Sequence, residues 1–126
     1  MRRSSAREKA FQILFQLDMN DVDPDQAIKD YIETLEVDEY LQTLVQGVAK
    51  NKIQIDDVIV HHLENWSIER IASVERTTLR IAIYEINYLE DVPTSVSINE
   101  AVELANKFGD EKSGKFINGV LSKIIA

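Results

Sequence analysis

SAREKAFQILFQLD, residues Ser5–Asp18, is the stretch whose reading decides the fold class. Ser5-x-x-Glu8 has the spacing of a capping box, in which a hydroxyl and a carboxylate take up the free amides of a helix start. Ala6, Ala10, Ile13, Leu14 and Leu17 follow at i, i+4, i+7, i+8 and i+11, a single apolar stripe with the helical period. Arg7 falls outside that stripe, so the spacing predicts a surface cluster of basic residues beside a buried face.

The same period recurs along the chain. Asp23-Pro24 is an Asx cap with proline at the first helical position, where its missing N–H costs nothing. A short helix is expected through Ala27, Ile28, Tyr31, Ile32 and Leu35. A third runs from about Asp38 through Leu41, Leu44, Val45, Val48 and Ala49 and closes at Asn51. A fourth, weaker in pattern, covers Asp56–Glu64. Ser67 and Ser73 are candidate caps for a short turn and for a long helix holding Leu79, Ala82, Ile83, Ile86 and Leu89. The residue before Pro93 resists helix, and Ser97-x-x-Glu100 repeats the capping-box spacing ahead of Ile98, Ala101, Val102, Ala105 and Phe108. Gly109 stands at a helix stop, and Phe116, Ile117, Val120, Leu121 and Ile124 mark the last helix. Nothing alternates with the period of a strand, so the expectation is an all-α chain of about seven helices.

The chain has 126 residues with 44% hydrophobic and 29% charged side chains, a balance that fits one folded domain over 1–126 and not a disordered chain. It has no cysteine, which excludes disulfides, thiol catalysis and cysteine-based zinc sites. No apolar run reaches the length of a membrane span. Arg7, Glu8, Lys9 and Gln12 interrupt any leader-like apolar stretch after the basic start. These features lead to an expected cytoplasmic address without membrane contact. Net charge is −8, unevenly placed: residues 1–17 carry +3, residues 18–100 carry −12 and residues 101–126 carry +1. Different parts of the chain therefore suit different partners.

Several patterns resemble chemistry without supporting it. GDEKSGKF, Gly109–Phe116, matches a phosphate loop except at its last position, but it follows a helix, carries Asp110 and Glu111, and has Phe116 in place of the hydroxyl. In DMNDVDPDQAI, taking Asp21, Asp23 and Asp25 as calcium ligands puts Gln26 at the glycine position and Ile32 at the bidentate glutamate. His61 and His62 are adjacent and diverge on a helix. No catalytic constellation, metal set or cofactor motif stands out; the abundant carboxylates leave general acid–base chemistry open, but nothing specifies an enzyme.

The basic start differs in kind. Arg2, Arg3 and Arg7, with Lys9, surround a helix N-terminus; arginine grips phosphate bidentately, and the helix dipole adds to the attraction. Lys107, Lys112 and Lys115 flank Phe116 near the other end, placing cations beside an aromatic ring. Phe116 reads equally well as a core residue.

AREKAFQILFQLD (Ala6–Asp18), VERTTLRIAIYEINYLEDVP (Val74–Pro93) and SINEAVELANKFGDEKSGKFINGVL (Ser97–Leu121), with DEYLQTLVQGV between them, closely resemble the NusB family of bacterial transcription antitermination factors. The resemblance spans essentially the whole chain. It implies two packed three-helix subdomains and no catalytic activity. It also implies binding of single-stranded boxA RNA of ribosomal RNA transcripts together with Nus factor E, a small-subunit ribosomal protein. The pair would help an antitermination complex form on RNA polymerase. Carried over by position, Arg2, Arg3 and Arg7, with Lys9 beside them, match the RNA-contacting arm. Gln12 and Phe15 match polar and aromatic positions further along that helix. Lys107, Lys112, Lys115, Phe116 and Asn118 fall in the C-terminal block of the RNA surface. Glu75 matches an acidic contact for the partner, with Arg76 beside it, although Arg76, Arg80 and Glu85 also read as helix-face ion pairs or inter-helix contacts. Tyr84 and Ile86 are expected to pack.

Two positions depart from the pattern. Ser4 and Ser5 interrupt what is a continuous arginine run in some relatives, and Lys112 stands where some carry an acid. The alternatives are a helical protein-interaction module, or an RNA-binding module like that of certain RNA methyltransferases, which would require a further cofactor-binding domain. The helix face with Phe11, Ile13 and Phe15 leaves a homodimer open.

Overall fold

In the computed structural model, residues 1–20, 23–34, 38–63 and 67–126 are described. Asp21, Leu35 and Glu64 lie outside them, as do the side chains of Tyr31 and Ile32. Among the described residues seven α-helices follow in order: α1 (Arg3–Met19), α2 (Pro24–Thr34), α3 (Glu39–Lys50), α4 (Lys52–His61), α5 (Ser73–Tyr88), α6 (Thr94–Phe108) and α7 (Glu111–Ile125), with one 3-10 turn at Ile68–Arg70. No strand occurs among the described residues. The all-α expectation of about seven helices is met.

Two apolar cores share the molecule. Ala6, Ala10, Phe11 and Leu14 of α1 meet Ile28 of α2 and Leu41, Leu44, Val45 and Val48 of α3 in the first. Ile55 and Ile59 of α4, Leu79, Ala82 and Ile83 of α5, Ala101 and Ala105 of α6, and Ile117 and Leu121 of α7 form the second. The second group thus has four helices where three were expected. The long helix α5 lies between the cores: its Ile81 turns into the first while its neighbours Leu79, Ala82 and Ile83 turn into the second. It packs against α1, α3, α4, α6 and α7. A helix surrounded in this way has almost no solvent face, and its polar groups need partners inside. Thr78 donates to the Val74 carbonyl (2.7 Å), and Arg80 donates to Asp56 (2.8 and 2.9 Å) and to Asp18 (3.0 Å). Tyr84 and Ile86 pack against the cores as expected.

Helix starts depart most from the sequence reading. Helix α1 begins at Arg3 with Arg2 as an extended cap residue and no side-chain cap. Ser5 therefore lies inside the first turn, and Glu8 pairs instead with Lys107 (2.9 Å). Helix α6 begins at Thr94, so Ser97 is interior and fully buried, and Glu100 bonds Ser4 and Arg7 of α1. In both segments long-range partners took the glutamate that the local pattern assigned to a cap. Helix α4 starts at Lys52 and not at Asp56, because Asn51 ends α3 and opens α4 together: its amide and Nδ2 both donate to the Gly47 carbonyl (3.0 and 2.8 Å) and its carbonyl accepts from Ile55. Ser73 is the first residue of α5 and not its cap. Asp38 caps α3 by accepting from the Leu41 amide (2.9 Å). Asp110 and Ser113 form the one reciprocal capping box among the described residues, at the start of α7.

The first core is closed by a buried ion pair. Arg7 is 2% exposed, its Nε donating to Glu85 Oε2 (2.8 Å) and its Nη1 lying 3.3 Å from Glu100. Tyr40 of α3 donates its hydroxyl to the same Glu85 oxygen. Burial, then the bond to Glu85, raises the affinity of that phenol for its proton above the ordinary value. A second cluster ties α1 to α4 and α5 through Asp18, which accepts from Arg76 Nε (3.0 Å) and Arg80. Burial alone would raise the Asp18 pKa, but the hydrogen bonds from Arg76 and Arg80 outweigh it and hold the carboxyl below its ordinary 3.8.

Glycine substitutions on two helices test the packing with opposite signs. A methyl group at Gly47 collides with the Tyr84 ring, whereas one at Gly119 meets open space. Gly47→Ala lowers stability by about 1–3 kcal/mol despite its better helix propensity, and Gly119→Ala raises it by about 0.5–1 kcal/mol, both read from urea midpoints. Arg7→Ala leaves Glu85 buried without its closest counter-charge and lowers stability by about 3–5 kcal/mol. Asp18, with a folded pKa below the unfolded one, contributes stability that is complete above about pH 4 and is lost as pH falls through the folded value. Asp18→Asn accordingly flattens the acid limb of a stability–pH profile; an unchanged limb would remove the assignment.

Candidate nucleic-acid interface

The start of α1 carries Arg2 and Arg3, both exposed, and no acidic residue in its first turn. Unbonded amides at a helix start carry partial positive charge, so this end is electropositive in backbone and side chain alike. Arg3 lies 2.8 Å from Asp91 and 4.4 Å above the Tyr40 ring. Ser4 donates to Glu100 (2.6 Å). Along α1 the contacts to α6 advance in parallel, from Ser4 against Glu100 to Glu8 against Lys107 and Phe11 against Phe108. The N-terminal helix and the C-terminal end of α6 therefore share one edge.

Arg7 departs from the sequence expectation. It is buried between α1, α5 and α6, held by Glu85 and Glu100, and it is not available to RNA. Its position one residue past the apolar stripe suggested a solvated face, but two carboxylates from α5 and α6 supply the partners that a buried guanidinium requires. Arg76 is likewise engaged internally, with Asp18, the Ile68 and Ile71 carbonyls and Ser73 as its acceptors, so it does not present its charge to a partner protein. The face offered for a homodimer is also used internally: Phe11 and Ile13 are buried, and Phe15 alone is half-buried, in the stack Phe15–Phe11–Phe108 with centroid separations of 5.7 and 4.4 Å.

The other expected residues gather around the α6–α7 corner and the adjoining edge of α1. Lys9 is half-buried and Gln12 is exposed one turn after Glu8. Lys107 is exposed and touches both Glu8 and, at 5.9 Å, the Phe108 ring. Lys112 and Lys115 project from the first turns of α7; Lys115 is 3.7 Å from Glu111. Gly114 permits this corner, because a side chain there would strike Asn106. Gly109 closes α6 with φ −114°, outside the left-handed region, so close packing and not backbone handedness explains it. Phe116 is half-buried on the second core, and Asn118 is exposed. Glu75 is half-buried and accepts from Ser113 Oγ (2.9 Å), which places it beside the same corner. Sequence reading missed Tyr40, Asp91 and Glu100, which no local pattern couples to α1.

Among the described residues no group of three or more metal-binding side chains exists. Among the same residues no helix is long and apolar enough to cross a membrane. The segment Gly109–Phe116 is the stop of α6 and the start of α7, with Asp110 as its cap accepting from the Ser113 amide (2.9 Å).

Comparison with known proteins covers the same span. The family model for the NusB family matches residues 4–126. A transcription antitermination protein NusB of Oceanobacillus iheyensis is 59% identical over 126 residues, covering all of both chains. The NusB structure of T. maritima superposes with a TM-score of 0.89 at 37% identity, over 98% of this chain and 90% of that one. A crystal structure of the antitermination factors NusB and NusE with double-stranded RNA superposes with a TM-score of 0.87 at 35% identity, over 97% and 94%. With the family model matched over residues 4–126 and a NusB relative 59% identical over the full length, the chain belongs to the NusB family of transcription antitermination proteins.

Proposed function

We propose that this protein binds boxA RNA of ribosomal transcripts together with Nus factor E, through the edge formed by α1 and the α6–α7 corner. The observation that carries the reading is the junction of Glu8 with Lys107 and of Phe11 with Phe108. It sets the basic residues of the N-terminal helix beside those of the C-terminal block, which are more than ninety positions away in sequence. Arg2, Arg3, Lys9, Lys107, Lys112 and Lys115 supply cations to phosphate. Gln12 and Asn118 supply amides to base edges, and the open sides of Phe15 and Phe116 offer rings to unpaired bases. A related NusB–NusE pair has been crystallised with RNA, which supports the assignment.

The partner face is argued from charge. Residues 18–100 carry −12, and a ribosomal-type protein is basic, so Glu75 and the acids around it raise the rate of encounter and discourage wrong partners. The same charge repels RNA from the remaining surface and orients it on the basic edge. Complex assembly on RNA polymerase then takes place in the cytoplasm.

Salt titration with boxA and scrambled RNA, single- and double-stranded, tests the reading. Engagement of about four cations gives a log–log slope near −3 on single strands, at roughly −0.7 per contact. Arg2→Ala with Arg3→Ala, or Lys107→Ala with Lys112→Ala, flattens the slope by about 1.4. Glu75→Gln slows association with Nus factor E at low salt and leaves the RNA slope unaltered. Equal affinity for boxA and scrambled RNA, with and without the partner, would eliminate sequence-selective binding.

A further inference from the structure

Three cations on the proposed RNA edge, Arg3, Lys107 and Lys115, lie against carboxylates in the unbound protein. Arg3 sits in a cleft of about 480 Å³ lined by Asp38, Tyr40, Leu89 and Asp91. There its guanidinium bonds Asp91 at 2.8 Å and covers the Tyr40 ring at 4.4 Å. Lys107 is held by Glu8 at 2.9 Å, and Lys115 lies 3.7 Å from Glu111. All three pairs remain open to water on both sides, with side-chain exposures of 48% and 66% for Arg3 and Asp91. The buried Arg7–Glu85 pair one turn away is a different object, with exposures of 3% and 1%. Buried pairs fix geometry and exposed ones exchange partners readily.

We propose that Asp91, with Glu8 at the second position, is an internal competitor of RNA phosphate. The carboxylates hold the Arg3 and Lys107 head groups on the protein and set the affinity of the edge for polyanions. The proposal rests on the RNA reading above; it adds Asp91, which that reading does not contain, and gives Glu8 a second part besides placing Lys107. The chemistry is a direct exchange: a phosphate oxygen takes the N–H donors that the carboxylate held, and the freed carboxylate returns to water. The Arg3 pair is well formed in its geometry, with Nη2 donating to Asp91 Oδ2 at 2.8 Å, and the same bond raises the arginine's pKa and lowers that of the aspartate. Because the competing group sees only the cation, it weakens every RNA by the same factor. Because the pairs are exposed, added salt screens them.

Asp91→Asn is measured against Asp57→Asn, which makes the same change in net charge on exposed α4, away from the edge. At about 50 mM salt, Asp91→Asn raises affinity for boxA and scrambled RNA alike by about two- to fivefold, the range open to exposed pairs. The gain fades as salt approaches about 0.5 M, while Asp57→Asn changes little. Glu8→Gln acts in the same direction, and with Asp91→Asn the two factors multiply. Equal behaviour of Asp91→Asn and Asp57→Asn in a wild-type background that binds RNA overturns the competitor and leaves the RNA reading intact. A wild-type protein that binds neither RNA removes both.

Discussion

Everything about the N-terminal helix depends on the buried pair between Arg7 and Glu85. A guanidinium and a carboxylate at 2% and 1% exposure are tolerable only together, with their remaining hydrogen-bonding capacity met by Glu100 and the Tyr40 hydroxyl. The four residues come from α1, α3, α5 and α6. Geometry at a buried pair is strict, so the cluster fixes the rotation of α1 about its axis and its register along α5. Ala6, Ala10 and Leu14 then face the first core, and Glu8 and Gln12 face outward along the edge that meets α6.

The two-core arrangement has a related consequence. Helix α5 belongs to both cores and anchors α1 at each end, through Glu85 to Arg7 and through Arg76 and Arg80 to Asp18. These contacts run antiparallel, so α1 is fastened from Arg7 to Asp18. Helix α6 approaches α1 in parallel and brings its C-terminal Lys107 and Phe108 to the middle of α1. The position of the basic corner thus follows from helix directions and needs no separate device. Its outer wall is α7, brought close by the absence of a side chain at Gly114 and started by the Asp110–Ser113 box.

Much of this was legible in the sequence because apolar periodicity is a local signal. Stripes through Ala6–Leu17 and Leu79–Leu89, the proline that opens α2 and the Asp38 cap each identify an element without help from distant residues. Capping boxes were misread at Ser5 and Ser97 because the pattern supplies a glutamate but cannot reveal a better partner. Glu8 found Lys107, and Glu100 found Ser4 and Arg7, at separations of 93 to 99 residues. Arg7 was misplaced for the same reason. A charged residue beside an apolar stripe is normally solvated, and only the fold shows that Glu85, 78 positions on, waits for it. The site was legible as a set of charges and not as a geometry: Lys107, Lys112, Lys115 and Arg3 were all visible, while Asp91 and Tyr40, which hold Arg3, carried no signal.

One local inconsistency remains to be explained, and it bears on function. A helix start prefers acids and capping hydroxyls, yet α1 opens with Arg2 and Arg3, no acid in its first turn and no side-chain cap. Such a start is unfavourable in isolation, and sequences are usually locally consistent except where a site imposes another demand. The missing negative charge comes instead from Asp91 and Glu100, beyond the end of α5 and within α6. Acids inside the first turn would neutralise the helix terminus permanently, because they are covalently adjacent to it. Acids supplied from another element can be exchanged for an incoming anion while α1 stays anchored by Arg7. Exchangeable Arg3 and fixed Arg7 therefore sit at i and i+4 on one helix, against the single ring of Tyr40 at 4.4 and 5.6 Å. On the proposed RNA edge, that division keeps the helix start ordered while its charge stays exchangeable.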